Sequence, residues 1–430
     1  MSLAAVIMFA LFLGACGIGV PIGFSMIASG LVYLLLVGGD LGLVAAQGVH
    51  GLFKSFILLA VPLFIFAAEV MTASNISDRL LQFVMLVVGR LRGGLAYVNI
   101  AVSIIFAGMS GSALADAAGP GKLMIDMMTR NNRYPRGFAG ALTAASATIG
   151  PIIPPSIPMV IYGAISGTSI GALFLGGVLP GLLMGLALSI QVFIVSRRRG
   201  FPVEDPVPLN MVRRTTFRAI PALMLPAILL GGIYSGAVTP TEAAAVAAAY
   251  ALLLAFVYRE MNPRSLYASL LGSARATAIV AITVIGALFI NYVVASERIP
   301  DELGNWIIGL GLTPVAFLLL VSVLFLILGA VLDTLLMLLV MVPILMPSVR
   351  ALDVDPVHFG VVVVIDMMIG LITPPYGELL FLISGVSRIP LAELIRESWA
   401  FILTLVIALL VIVLFPDIVL FIPRSAGYAG

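Results

Sequence analysis

Apolar runs dominate this chain, and its polar residues gather between those runs rather than alternating through them. A helix needs about 20 apolar residues to cross about 30 Å of hydrocarbon. On that measure the pattern predicts ten spans, near 3–19, 21–37, 55–72, 138–165, 171–195, 219–235, 240–258, 274–295, 358–386 and 398–422. Two further apolar stretches, 95–128 and 314–347, are interrupted near the centre by Ser110-Gly111-Ser112 and by Gly329 to Thr334, and fit re-entrant hairpins better than crossings. The segments 77–89 and 303–311 are too short to span and mixed in character, so they belong at the interface. The run at 1–20 has no basic residues ahead of it and more apolar sequence directly behind it, which makes it a retained first span rather than a leader.

Two of the spans carry tandem prolines: GPIIPPSIP at Gly150 to Pro158 and GLITPPYGELLF at Gly370 to Phe381. Proline removes a backbone donor and breaks the helix, and hydrocarbon cannot satisfy the amides and carbonyls set free. Breaks at this depth are tolerated around something polar, such as an ion, a substrate or a watery cavity. The two breaks also belong to a repeat. Ile76 to Leu80 (ISDRL) returns as Ile299 to Leu303 (IPDEL) at an offset of 223. Gly108 to Ser112 falls opposite Gly329 to Asp333 at 221, Pro154-Pro155 opposite Pro374-Pro375 at 220, and Pro21 opposite Pro240 at 219. Four matches in one order at nearly one offset divide the chain into similar halves, 1–196 and 219–430, joined by a basic linker at 197–218.

Each half holds five spans and one hairpin. Five is odd and a hairpin returns to the side it left, so the second half must be inverted, a pattern that points to secondary transport. Charge tests the parity. With Arg197, Arg198, Arg199, Arg213, Arg214 and Arg218 of the linker in the cytoplasm, only Lys54, Arg298, Arg350 and Arg424 face outward, and the other 18 of 22 basic residues lie in or toward the cytoplasmic half. Both termini are then outside, the first hairpin (about 95–128) enters from the cytoplasm and the second (about 314–347) from outside. Composition agrees with a polytopic all-α membrane protein, at 62% hydrophobic and 10% charged residues against about 25% charged in soluble domains. The net charge of +2 sits between spans, which speaks for topology and against nucleic-acid binding. One cysteine, Cys16, excludes an internal disulfide, and His50 and His358 read as ordinary interfacial residues.

A carboxylate near the bilayer centre costs about 2.5–3.5 kcal/mol on insertion scales, which makes Glu69, Asp116, Asp126, Glu242, Asp333, Asp366 and Glu378 the residues to explain. Asp116 follows the first hairpin tip and Asp333 sits at the second. With Ser110, Ser112, Thr334, the hydroxyl of Thr373 and the carbonyls freed at the two breaks they make oxygen-rich pockets suited to sodium, while the ends of broken helices suit an anionic substrate. The bland alternatives are close packing of small residues for Ser110-Gly111-Ser112 and a polar pair for Asp333. Glu69 and Glu242 near span ends read as structural, and Asp366 and Glu378 flank the second break with either role open. No G-x-x-x-x-G-K-[ST] loop is present to couple ATP. A membrane enzyme built on Asp116 and Asp333 would need both carboxyls about 3 Å apart, and a passive channel or scaffold is the third alternative.

GMSGSALADAAG at 108–119, GPIIPPSIPMVIYG at 150–163, YSGAVTPTEAAAV at 234–246 and GLITPPYGELLF at 370–381 closely resemble the large membrane subunit of TRAP (tripartite ATP-independent periplasmic) transporters. The resemblance covers essentially the whole chain. It implies a sodium-coupled, elevator-type importer of the ion-transporter superfamily in the bacterial inner membrane. It also implies two partners: a soluble periplasmic binding protein that delivers an organic acid (the family handles sialic acid, C4-dicarboxylates and others), and a small four-helix membrane subunit, expected here as a separate chain. By the resemblance Ser110, Ser112, Asp116, Gly150 and Pro151 belong to one sodium site, and Asp333, Thr334, Gly370, Thr373 and Pro374 to a second. Ser110, Pro154, Ser156, Thr373, Gly377 and Glu378 are then expected near the substrate. Where the family often places asparagine after the glycine of the second break, this chain has Glu378.

Overall fold

Helices in this chain repeatedly begin where a capping side chain is followed by proline. Thr239, Asn262, Thr313 and Asp355 are N-caps with Pro240, Pro263, Pro314 and Pro356 in the first turn. Each side-chain oxygen takes up a first-turn amide, and proline fixes φ where its missing N–H is not needed. The computed structural model describes residues 2–40, 42, 46, 50, 56–74, 76–203 and 209–429. Met1, Lys54, Ser55, Gly430 and residues 204–208 of the linker lie outside the described residues, as do the side chains of Asp78, Arg213 and Arg214.

In chain order, α1 (Leu3–Gly17), α2 (Ile22–Val37), α3 (Ala60–Ala73) and α4 (Ile76–Val88) precede a first hairpin. Its ascending limb is α5 (Gly94–Ser110). Its return limb is α6 (Ala113–Asp116), a wide turn at Ala117–Gly121 around Pro120, and α7 (Lys122–Thr129). A broken helix follows, α8 (Arg136–Ala147) and α9 (Ile157–Ser166), and then α10 (Ile170–Arg199). The rest comprises α11 (Leu209–Tyr234), α12 (Pro240–Val257), α13 (Pro263–Ser296), α14 (Ile299–Gly309), a second hairpin of α15 (Pro314–Gly329) and α16 (Thr334–Ala351), a second broken helix of α17 (Pro356–Gly370) and α18 (Glu378–Ser387), and finally α19 (Leu391–Leu414) and α20 (Asp417–Ser425). Among the described residues the fold is all-helical apart from one isolated bridge between Arg92 and Val203. Among the described residues six helices, α10, α11, α12, α13, α16 and α19, are long and apolar enough to cross a membrane. The exposed side chains of α10 include Leu182, Leu186, Ile190, Phe193 and Ile194. A helix apolar on its outer as well as its inner face is one that meets lipid.

The described ends of the linker are helical: Arg197, Arg198 and Arg199 form the last turn of α10, where cations oppose the negative end of the helix dipole, and α11 starts at Leu209. Two expectations change. The segment 398–422 is two helices, since Pro416 follows the end of α19 and α20 starts afresh at Asp417. His358 is buried rather than interfacial: it is 2% exposed, and its Nε2 lies 3.0 Å from the Ile412 carbonyl oxygen, a partner that makes its burial tolerable.

Packing sets the two breaks. α5 lies on α8 and α15 on α17, while α9 rests on α16 and α18 on α7, so each broken helix touches one hairpin with its first half and the other hairpin with its second. α13 runs along α2, α3 and α16, and α12 along α3. α10 presents Gly177, Gly181 and Gly185 at four-residue spacing. A Cβ there would stand 2.1 Å from the Ile152 carbonyl oxygen, 2.3 Å from Ile153 Cγ1 and 2.5 Å from Ile104 Cδ1. Glycine is needed because the unwound chain at Ile152-Ile153 seats directly on the α10 backbone, a small-xxx-small contact of the kind that drives helix association where lipid is as apolar as leucine.

Candidate functional site

The first break and the first hairpin tip are interlocked through backbone. Helix α8 ends at Ala147 and the chain turns through Gly150 and Pro151 to a cis Pro154-Pro155 bond. Ser156 then caps α9, accepting from the Met159 amide at 3.2 Å and donating to the Pro151 carbonyl. Gly111 sits at the hairpin tip in left-handed conformation (φ +60), where a Cβ would come within 2.5 Å of the Pro155 carbonyl oxygen. Ser112 caps α6. Asp116 turns inward: its Oδ1 accepts from Ser110 Oγ at 2.5 Å, and its Oδ2 is buried with no hydrogen-bond partner, aimed at Gly150, where a Cβ would lie 2.4 Å away. A buried carboxylate oxygen is almost always satisfied in a folded protein. This one faces backbone freed by a helix break.

The second half builds a related arrangement from different contacts. Gly329 and Gly370 meet backbone to backbone, since a Cβ on Gly370 would stand 2.7 Å from Gly329 Cα and C. The Tyr376 amide donates to the Ala330 carbonyl at 3.2 Å, tying the break to the hairpin tip. Asp333 is the N-cap of α16, its Oδ1 accepting from the Leu335 and Leu336 amides at 2.9 and 3.2 Å. Thr373 donates from Oγ1 to the Ile369 carbonyl at 2.7 Å, leaving lone pairs on the oxygen. The break contains a second cis bond, Pro374-Pro375, and Gly377 at φ +49 starts α18 with Glu378 in its first turn.

Both tips reach one cavity of about 570 Å³. Of the residues expected at the site, Ser110, Ser112, Pro151, Asp333, Thr334 and Glu378 line it. Asp116, Gly150, Gly370, Thr373, Pro374, Pro154, Ser156 and Gly377 belong to the same tips and breaks but are not among the described residues that line it. Glu69, expected as a structural residue near a span end, also lines the cavity together with Thr72 and, from α13, Ala276, Ile279 and Val280. No lysine or arginine is among the described residues that line it. The remaining acidic residues separate. Asp126 is exposed on α7, so it carries no burial cost to explain. Glu242 is exposed in a capping box with Thr239, as its structural reading expects. Asp366 is fully buried beside Ser322 of α15, with neither carboxyl oxygen in a hydrogen bond, and is not part of the cavity lining. Asp116 and Asp333 have separate partners, and nothing here joins them as a proton-sharing dyad.

The family model for the tripartite ATP-independent periplasmic transporter, DctM component, matches residues 6–418. The chain belongs to this family. Over 414 residues it is 41% identical to the sialic acid TRAP transporter large permease protein SiaM of Vibrio cholerae, covering 96% of this chain and 97% of that one. Over 400 residues it is 37% identical to the C4-dicarboxylate TRAP transporter large permease protein DctM of Pseudomonas aeruginosa, covering 93% of each. The 2,3-diketo-L-gulonate TRAP transporter large permease protein YiaN of Escherichia coli is 37% identical over 420 residues, covering 97% of this chain and 98% of that one. In fold the chain is similar to the crystal structure of the YdaH transporter of Alcanivorax borkumensis, with a TM-score of 0.66 at 14% identity over 85% of this chain and 86% of that one. This large TRAP permease component is therefore a multi-pass membrane transport protein rather than an enzyme. Two features that sequence reasoning missed leave only weak marks: the glycine face of α10 is a spacing of four between Gly177, Gly181 and Gly185, and Glu69 is a carboxylate about one turn from the end of α3.

Proposed function

We propose that this chain is the permease of a sodium-coupled secondary transporter that imports an organic acid, of the sialic acid or C4-dicarboxylate class, across the bacterial inner membrane. In this reading a periplasmic binding protein delivers the acid and a small four-helix membrane subunit completes the complex. The two hairpins and two broken helices move together as an elevator against α1 to α3 and α11 to α13. The pairing of each broken helix with both hairpins favours such a unit, and it fits inverted repeats at 1–196 and 219–430 with both termini outside.

One observation carries the coupling. Glu69, Asp333 and Glu378 line the cavity, and no basic side chain does among the described residues. Two like charges 4 Å apart repel by about 4 kcal/mol at an effective dielectric of 20, close to a thousandfold in affinity, so an organic anion entering alone is rejected. Cations must enter with it. Asp116 Oδ2, Ser110 Oγ and the carbonyls around Gly150 offer hard oxygen donors to one sodium ion. Asp333, Thr334, Thr373 and the carbonyls around Gly370 and Pro374 offer them to another. Sodium would discharge both aspartates and draw the tips onto the breaks, and the neutral serine-capped helix starts of the first half would then meet the substrate carboxylate.

Uptake into proteoliposomes that hold this chain and its small subunit, supplied with the loaded binding protein, is expected to require an inward sodium gradient and to accumulate substrate against its own gradient. Equal uptake without sodium would sink the coupling, and equilibration without accumulation would favour a channel. Asp333→Ala is expected to abolish uptake while the complex still assembles. Wild-type rates in that variant would take Asp333 out of the site.

A further inference from the structure

One buried acid takes no part in the cavity. Helices α15 and α17 run side by side between two fixed points: Phe317 stacks on Phe359 with ring centroids 6.3 Å apart, and Gly329 meets Gly370 backbone to backbone. Asp366 lies between those points, seven residues after Phe359 and four before Gly370, so the three share one face of α17. Ser322 belongs to the buried face of α15 with Phe317, Phe325 and Gly329. Asp366 is 0% exposed and Ser322 4%, and neither the two carboxyl oxygens nor Ser322 Oγ has a hydrogen-bond partner. No lysine or arginine among the described residues forms an ion pair with Asp366. At the offset of 220 that aligns Pro154-Pro155 with Pro374-Pro375, Asp366 falls opposite Ser146, four residues before Gly150. There, where α8 lies on α5, Ser103 Oγ donates to Ser146 Oγ at 2.9 Å, and Ser146 Oγ lies 3.1 Å from its acceptor Asn99 Oδ1. That seam is closed by neutral groups that donate as well as accept.

An ionised carboxylate buried without a counter-charge is too costly to persist, so Asp366 needs either a metal cation or a proton. Hard cations gather about six oxygen ligands. The side chains of this seam offer three, two on Asp366 and one on Ser322, and the carbonyls along α15 and α17 are engaged within their helices. A proton needs a single acceptor. We propose that Asp366 is a proton site: it keeps a resident proton throughout the cycle and, as a neutral acid, donates to Ser322 Oγ, pinning the second hairpin to the second break. The carboxyl oxygens meet neither water nor the cavity, so this proton does not exchange with the coupling ions, and the seam crosses the membrane uncharged. Asp366 is then a positioning residue for the pocket at Asp333 and Thr373 and takes no sodium itself.

Infrared difference spectroscopy reads the proton directly, on the complex of this chain with its small subunit in lipid nanodiscs. Wild type minus Asp366→Asn is expected to leave the carbonyl stretch of one protonated carboxylic acid, which moves in heavy water, with no carboxylate bands. Ser322→Ala is expected to keep that acid band and raise its frequency, because the hydrogen bond is gone. If Asp366→Asn does not assemble, wild type minus Ser322→Ala carries the same test as a shifted acid band. In proteoliposomes Asp366→Asn, neutral and still a donor, should keep uptake within about twofold of wild type and leave the half-maximal sodium concentration unchanged. Carboxylate bands in place of the acid band, or an acid band that Ser322→Ala leaves unmoved, would overturn the assignment. So would a rise of about tenfold or more in half-maximal sodium for Asp366→Asn, which would make Asp366 a ligand of a further cation. The infrared measurement makes no use of uptake, so its outcome is independent of the transport reading above.

Discussion

Replacing Gly370 by alanine probes the contact on which the second half of the site depends. The added Cβ would lie 2.7 Å from Gly329 Cα and C and 2.9 Å from its carbonyl oxygen. Carbon atoms settle at about 3.5–4.0 Å, so hairpin tip and break must part by roughly 1 Å. Both partners are backbone, and no flexible side chain can swing away. Overpacking of this kind costs about 1–3 kcal/mol. If the strain is relieved by opening the pocket, the cost falls on ion binding, and the sodium concentration for half-maximal uptake should rise by about 5- to 150-fold. The assay is initial uptake rate in proteoliposomes against sodium concentration, with thermal unfolding of the same preparation alongside. Gly385→Ala is the control: it lies inside α18 with nothing within 4 Å of the added carbon, and should leave sodium dependence unchanged while gaining up to about 1 kcal/mol of helix propensity. A Gly370→Ala permease with the wild-type sodium curve and unfolding temperature would refute the claim that this backbone contact shapes the site.

Other contacts give sharper or milder outcomes. Gly181→Leu places a side chain where Ile153 Cγ1 already stands 2.3 Å from the Cβ position. It should lower the unfolding temperature and reduce uptake together, and unchanged values of both would show that the break does not seat on α10. Thr239→Ala removes the cap of α12 and should cost about 1 kcal/mol of stability with sodium dependence intact, because Glu242 and Thr239 stand apart from the cavity; a shifted sodium curve would contradict that. The Ser2 hydroxyl and amide donate to Glu297 at the end of α13, and these hydrogen bonds hold its carboxyl below the ordinary value of 4.5. A depressed folded pKa contributes stability above the ordinary carboxylate range that is lost as pH falls through the lowered value. Thermal stability should therefore decline on acidification below about pH 4, and less steeply in Glu297→Gln; parallel profiles would remove Glu297 from the account.

The parts of this structure legible in the sequence are those where backbone chemistry leaves a residue-level mark. Cap-proline pairs at Thr239, Asn262, Thr313 and Asp355 announce helix starts, tandem prolines announce the breaks, and Ser110-Gly111-Ser112 and Asp333 announce the hairpin tips. What could not be read is which way a helix faces. In a soluble protein the polar stripe reports orientation, but lipid is as apolar as a protein core, so α10 shows leucine and isoleucine on both sides and its buried glycine face is hidden among them. The same loss of contrast placed Asp126 among the buried charges and His358 at the interface, and it left Glu69 looking structural although α3 turns it into the cavity. The arginines of the linker marked a side of the membrane without showing that they prolong α10.

Helix α13 has 34 residues, about 51 Å at about 1.5 Å per residue. Its uncharged stretch begins after Arg275 and runs to Ser296, near the thickness of the hydrocarbon, and the earlier turns with Arg264 and Arg275 extend beyond it. The helix is thus a ruler with a charged stop at each end, Arg275 on one side and Glu297 directly after Ser296 on the other. In bilayers of longer acyl chains Arg275 would be drawn toward hydrocarbon and α13 would have to straighten or the lipid to thin around it, whereas shorter chains would only increase its tilt. Because α16 of the second hairpin rides on this helix, membrane thickness becomes a variable of the transport cycle itself, with tolerance on the thin side and a limit on the thick side.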